Sequence, residues 1–115
     1  MKIAYRNNPM QGIIIKFADG DTVKVILQCN HCGTYRAVYV RLLGIDSYEV
    51  KSEHKGRALE IAARYTAKYK GTEVTIIAQR ATSDKYARII GEIYIDKEPL
   101  TRLLVKNRDA WYSGG

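Results

Sequence analysis

The chain has 115 residues, 46% hydrophobic and 27% charged, with 19 Lys and Arg against 12 Asp and Glu for a formal net charge of +7. That is enough for one domain, spanning 1–115, with a modest core and no need of staples, and it excludes a disordered, collagenous or disulfide-dense chain. No run approaches the ~18 apolar residues of a membrane span, so no membrane-spanning segment is expected, and the basic surplus points to a polyanionic partner, nucleic acid ahead of an anionic lipid surface, or simply to a solvated basic face.

In chain order, the opening "MKIAYRNNPM" lacks the apolar stretch of a signal peptide. The chain as written is therefore expected to be cytoplasmic, or secreted if a leader has been removed. "GIIIKFA" (12–18) and "DTVKVILQ" (21–28) are rich in β-branched residues and joined by Asp-Gly, a hairpin signal. "TYRAVYVRLLGID" (34–46) reads as one long third strand. Both of its phases are largely apolar, so periodicity leaves the direction of Arg41 open. Over 53–70 the period changes: Ala58, Ile61, Ala62, Tyr65 and Tyr69 follow helical spacing, and Gly71 stands in a C-terminal capping position. "TEVTIIAQ" (72–79) and "YARIIGEIYI" (86–95) predict two more strands. A short helix follows, with Pro99 near its first turn, Leu100, Leu103 and Leu104 as its stripe, and Asn107 as a left-handed cap. The order β-β-β-α-β-β-α is compatible with a five-stranded OB barrel, although other small α+β folds share it.

Within "FADGDTVKV" (17–25), Asp21 shares a side with Val23, Val25 and Leu27. In a strand that side points into the core. A buried, unpaired carboxylate is costly, so Asp21 calls for a cation or hydrogen-bond partners. The alternative is a turn acid capping its own hairpin. Further on, Asp46 and Glu49 close "RLLGIDSYE", Arg41 stands five residues before Asp46, and Arg88 opens the last strand. Phosphodiester hydrolysis uses these residue types: carboxylates hold a hard cation through oxygen, a further carboxylate orients or deprotonates water, and arginines match phosphate with two parallel hydrogen bonds. On local evidence Arg41 is equally a salt bridge to Glu49 or Asp46, and Arg88 an exposed strand arginine.

The segments "DGDTVKV", "VRLLGIDSYE" and "SDKYARIIGEIY" together resemble the staphylococcal nuclease (thermonuclease) family, over about residues 12–111. The resemblance implies an OB barrel with helices packed against it and a calcium-dependent nuclease acting on DNA and RNA, single-stranded or locally unpaired substrates being favoured. It implies Ca2+ bound by the side chains of Asp21 and Asp46 and the backbone carbonyl of Ser47. Glu49 becomes the general base or water-positioning residue, Arg41 and Arg88 hold the scissile phosphate, Lys85 and Tyr86 line the nucleotide site, and Asp19 is an acid behind the metal ligands. Ser47-Tyr48 stands where the family has Thr-Pro, and Ala87 where it has glycine. Trp111 and Tyr112 are the local candidates for the tyrosines that the family supplies further on. A monomer is the default expectation.

"CNHC" (29–32) invites a zinc or redox reading. The chain holds two Cys and two His in all, a poor supply for a four-ligand zinc site, and the motif falls between strands rather than at a helix start. A hairpin loop with two thiols is the expectation. The nine tyrosines suit base stacking, but core and rim positions are the commoner use, and Tyr65 and Tyr69 on the helix's apolar face are expected to be of that kind. The rival to the nuclease reading is a catalytically inert OB-fold nucleic-acid-binding module with a relic active site. A membrane-surface or protein-interaction domain would explain the charge but not the acids.

Overall fold

A computed structural model describes residues 9–28, 35–79 and 88–113. The "CNHC" loop, Lys85, Tyr86 and Ala87 lie outside these residues. β1 (Met10–Phe17), β2 (Thr22–Gln28) and β3 (Tyr35–Leu42) form an antiparallel meander. After a short β4 (Ile45–Ser47) the chain enters α1 (Lys55–Tyr69). β5 (Glu73–Ala78) pairs with β1, and β6 (Ile89–Ile95) pairs antiparallel with β5 and parallel with β3. The β3–β6 pairing closes a mixed five-stranded barrel with OB topology, against which two helices pack. Closure leaves no long open edge within the five strands.

The barrel is filled from alternate positions. Val23, Val25 and Leu27 of β2, Val38, Val40 and Leu42 of β3, and Ile89 and Ile93 of β6 are all buried. This settles the phase of β3 that its own periodicity left open. Its even-numbered residues point inward, so Tyr35, Ala37, Tyr39 and Arg41 share the outer face. α1 buries Ala58, Ile61, Ala62 and Tyr65, its expected apolar stripe. Tyr65 meets Phe17 at a ring distance of 5.4 Å, and the hydroxyl of Thr66 accepts a hydrogen bond from the Phe17 amide at 2.8 Å. The helix is thus fastened to the end of β1 by packing and by a polar contact. Gly71 ends it with φ +85°.

Three sequence expectations need correction. The long third strand is broken at Leu43-Gly44, where Gly44 adopts φ +81°, a conformation that glycine enters without steric cost. That turn detaches β4, which pairs instead with a terminal strand β8 (Ala110–Tyr112). Secondly, Asn107 has φ −83° and is no left-handed cap; Arg108 takes that conformation at +63°. The Asn107 amide is used instead to donate to the Tyr65 hydroxyl at 3.0 Å. Thirdly, β6 turns back through Asp96-Lys97, both at positive φ, into the two-residue β7 (Glu98–Pro99) before α2 (Leu100–Lys106). This is a two-residue hairpin of the mirror-image type, written without the usual glycine. Glu92 serves α2: its carboxylate accepts from the amide and hydroxyl of Thr101, at 3.1 and 2.9 Å, satisfying donors at the helix start. Among the described residues no helix is long and apolar enough to cross a membrane.

Candidate active site

Between β1 and β2 the chain turns through Ala18 to Asp21. The turn is closed by a hydrogen bond from the Ala18 amide to the Thr22 carbonyl, and by one from the Asp21 amide to Asp19 Oδ1 at 3.0 Å. The second is the local side-chain-to-backbone bond that aspartates make in turns. The Asp21 carbonyl accepts from Leu42 N at 2.8 Å, which pins the acid to the end of β3. Its side chain is nearly all buried, although Asp21 belongs to the turn and precedes the first residue of β2.

The partner that a buried Asp21 requires is present. Arg41 Nη2 lies 3.5 Å from Asp21 Oδ2 and 2.9 Å from Asp46 Oδ1, so one guanidinium nitrogen bridges the two acids. Arg41 Nη1 also donates to the Leu42 carbonyl at 2.6 Å. The Thr22 hydroxyl donates to Asp21 Oδ1 at 3.1 Å, and Arg88 Nη1 reaches the Thr22 oxygen at 3.5 Å. Arg41 of β3 and Arg88, just before β6, are therefore tied to one acid, Arg41 directly and Arg88 through Thr22. Burial pushes the Asp21 carboxyl up to about 7, helped by the Asp19 side chain beside it and opposed by Arg41 and Thr22. A carboxylate held that reluctantly in its charged form gains from any further cation nearby.

Ser47 reaches the same place by a different route. It is buried, and its hydroxyl donates to the Asp109 carbonyl at 2.6 Å. Gly20 lies directly against it. A Cβ on Gly20 would collide with the Ser47 side chain, so glycine is required here for close approach. The Asp19–Asp21 turn and β4 can touch only because that side chain is missing. Two carboxylates gathered on one guanidinium, with a carbonyl-bearing residue packed on the acid turn, make an all-oxygen set of the kind a hard cation takes. Among the described residues no cluster of three or more His, Cys, Asp or Glu could hold a metal ion, so a cation here would draw its remaining ligands from water or substrate.

Glu49 is not drawn into this group. It is exposed in the loop after β4, and its carboxylate makes no ion pair or hydrogen bond among the described residues. The loop is fixed through the Glu49 backbone instead, whose carbonyl accepts from Ser52 N at 3.1 Å and Ser52 Oγ at 2.6 Å. Tyr48, in the position where the resemblance expects proline, packs edge-on to Trp111 at 5.4 Å and His54 at 5.2 Å, with the Arg57 guanidinium 5.7 Å from its ring. Trp111 is the register partner of Asp46. It is half-exposed beside the acids.

Sequence reasoning passed over two residues that organise the site. Thr22 links Asp21 to Arg88; its signal was its place in "DGDTV". Asp109 is 1% exposed. Its carboxylate accepts from Arg64 at 2.9 and 3.1 Å and from the Tyr65 hydroxyl at 2.7 Å, and Arg57 lies 3.6 Å away. Burial alone would raise its carboxyl, but the hydrogen bonds from Arg64 and Tyr65 outweigh this and hold it below the usual range. Through its carbonyl and carboxylate Asp109 joins β4, α1 and the start of β8. Nothing local in "KNRDAW" announces this.

The model of the family described as staphylococcal nuclease homologue matches residues 39–114, more than half of the chain. The match takes in Arg41, Asp46, Ser47, Glu49 and Arg88, while Asp21 and its turn precede it. No curated protein matches the chain. The barrel with its two packed helices, the matched span and the arginine-bridged acids at the β2–β3 end agree, and the chain belongs to the staphylococcal nuclease homologue family.

Proposed function

We propose that this protein is a calcium-dependent nuclease that hydrolyses phosphodiester bonds in DNA and RNA. One observation carries the reading: Asp21 and Asp46 converge on Arg41 while Arg88 reaches the same acid through Thr22. A nucleic-acid-binding module has no need of buried acids at its phosphate site, because they repel the ligand.

In this reading Asp21, Asp46 and the Ser47 carbonyl hold the calcium ion. When bound, the ion polarises the phosphoryl oxygens and offsets their charge. A site with few protein ligands suits calcium's loose coordination better than magnesium's strict octahedron. Arg41 and Arg88 donate hydrogen bonds to the phosphate oxygens, strengthening as charge develops there. Glu49, already accessible to solvent, accepts the proton of the attacking water. The new P–O bond forms as the bond to the leaving oxygen breaks, and that oxygen takes a proton from solvent. Asp19 supports Asp21 by accepting a hydrogen bond from the Asp21 amide, and Lys85 and Tyr86 line the nucleotide site.

The test is cleavage of plasmid and single-stranded DNA with calcium, with magnesium and with excess chelator, beside Glu49→Gln. Cleavage should require the cation, and Glu49→Gln should lose roughly 10²–10⁴-fold in rate while binding is retained. Full activity in chelator refutes the metal assignment. Tight binding without cleavage under any condition favours the inert module, to which the solvent-facing Glu49 would then belong.

A further inference from the structure

Beyond the acids, the outer face of β2 and β3 has a composition that barrel packing does not explain. Its residues form rows across the strands. In the first row Thr22 pairs with Arg41; in the next, Lys24 pairs with Tyr39, and Lys16 of β1 pairs with Lys24. The third row runs Glu73, Ile13, Ile26, Ala37 across four strands. In the fourth, Gln28 pairs with Tyr35. Rows along β3 are about 6.8 Å apart, two residues per step. Tyr35 is 69% exposed, and Tyr39 and Ile13 are also exposed. Lys24 Nζ stands 5.5 Å from the centre of the Tyr39 ring.

Beside Tyr35 the surface is hollow. A cleft of about 270 Å³ is lined by Gln11, Gly12, Ile13, Ile26, Gln28, Tyr35 and Glu73. It has an apolar floor, an aromatic wall and side-chain amides at its rim, the lining of a site for a flat, hydrogen-bonding ring. Ala37 is small enough to leave the way from Tyr39 open. Two large exposed tyrosines, a paired lysine row and an exposed isoleucine are uncommon together on a free sheet surface. The two tyrosines share the strand and the face of Arg41, and Lys24 stands on the neighbouring strand.

The geometry points to a binding track for single-stranded nucleic acid on this face. It runs from Arg41 past Lys24 and Tyr39 to the cleft walled by Tyr35. The identity of the strand as substrate rests on the nuclease reading; the track itself does not. Lys16 and Lys24 take the phosphates. Tyr39 stacks the base next to the phosphate that Arg41 holds. The cleft takes a base a few nucleotides further on, its edge meeting Gln11, Gln28 and Glu73. Aromatic platforms set beside a positive groove are how single strands are held without strong sequence preference. Glu73 keeps the phosphate backbone off the cleft side and on the lysine side.

The test is fluorescence anisotropy of labelled oligothymidylates, four and twelve nucleotides long, and of a duplex, all in chelator so that nothing is cut. Tyr39→Ala should weaken binding of the twelve-mer about 5- to 150-fold, the range for loss of one stacked base, and Tyr39→Phe should restore it. Tyr35→Ala should weaken the twelve-mer more than the four-mer. The duplex should bind more weakly than the single strand and respond little to either variant. Both positions are exposed, so circular dichroism melts should match the parent. Unchanged twelve-mer affinity in both alanine variants overturns the inference. So does a parent dimer, seen by sedimentation, that Tyr35→Ala dissociates without altering oligonucleotide binding: the face is then a contact between copies. Cleavage is a separate measurement. Calcium-dependent cutting with unchanged binding in the variants removes the track alone. Tyrosine-dependent binding without cutting removes the nuclease reading alone.

Discussion

Replacing Asp109 by asparagine tests how the C-terminal strand is held to the acids. The carboxylate is buried and accepts three hydrogen bonds, two from Arg64 and one from Tyr65. Asparagine keeps one acceptor oxygen and turns the other position into an NH2 group facing the Arg64 guanidinium or the Tyr65 hydroxyl. That hydroxyl already accepts from Asn107, so it cannot reorient without a loss elsewhere. One hydrogen bond to a charged group is lost outright, worth about 1.5–3 kcal/mol. Half of the Arg64 side chain and half of the Arg57 side chain are exposed and can rehydrate, so the lost ion pairs add at most about 1 kcal/mol. The expected loss is about 2–4 kcal/mol, or a fall of about 1–2 M in the urea midpoint for a chain of this size. The loss also has a pH signature. The folded Asp109 carboxyl is held below its ordinary value. Its contribution is therefore complete above the unfolded carboxyl's pKa of about 3.9 and fades as pH falls through the lower folded value. Urea melts of parent and Asp109→Asn should differ by a constant amount at pH 5 to 7, and the difference should shrink as pH falls below about 4. A difference under about 0.5 kcal/mol at pH 7, within the ordinary surface range, refutes the account. A gap that persists undiminished in strong acid shows that packing, not the charge, was responsible.

Arg41→Lys and Arg88→Lys should differ in kind. Arg41 bridges two acids, so its lysine variant should lower both urea stability and single-turnover cleavage rate. Arg88→Lys should cut the rate roughly 10²–10³-fold with stability nearly unchanged, and the reverse ranking in stability would refute the assignment. Gly20→Ala drives a methyl into Ser47 and should cost about 1–3 kcal/mol by crowding. Gly44→Ala, with open space around it but φ +81°, should cost about 1–2 kcal/mol by backbone strain alone. Cleavage should suffer only in the Gly20 variant, and equal losses of cleavage in both would discount the Gly20–Ser47 contact. Asp21, with its carboxyl raised to about 7, is ionised in the unfolded chain before the folded one. It should therefore reduce stability as pH climbs from about 4 to 7. Carbon NMR of the side-chain carboxyl should show that late titration and its fall when calcium is added, and a midpoint near 4 without calcium would contradict it.

What the sequence determined by itself was local. Alternation in "DTVKVILQ" marked Val23, Val25 and Leu27 as the inward side of β2, and the 3.6-residue spacing of Ala58, Ile61, Ala62 and Tyr65 marked the buried face of α1. Both patterns are written within a few residues and follow from strand and helix geometry alone. Three spaced segments also carried the family resemblance. Other features required the closed barrel. The direction of Arg41 could not be read from a strand apolar on both sides. It follows from β3 pairing with both β2 and β6, which turns Val38, Val40 and Leu42 inward and leaves Arg41 to bridge acids from two other segments. The β4–β8 pair joins residues more than sixty positions apart, as does the Ser47 hydroxyl bond to the Asp109 carbonyl. No short-range pattern encodes such a pairing, because each strand is too brief to show a period. The Gly20 contact and the Lys24–Tyr39 row are similar cases. The residue types are visible in the chain, but what each touches depends on strands brought together by burial of the core, and only the tertiary structure decides it.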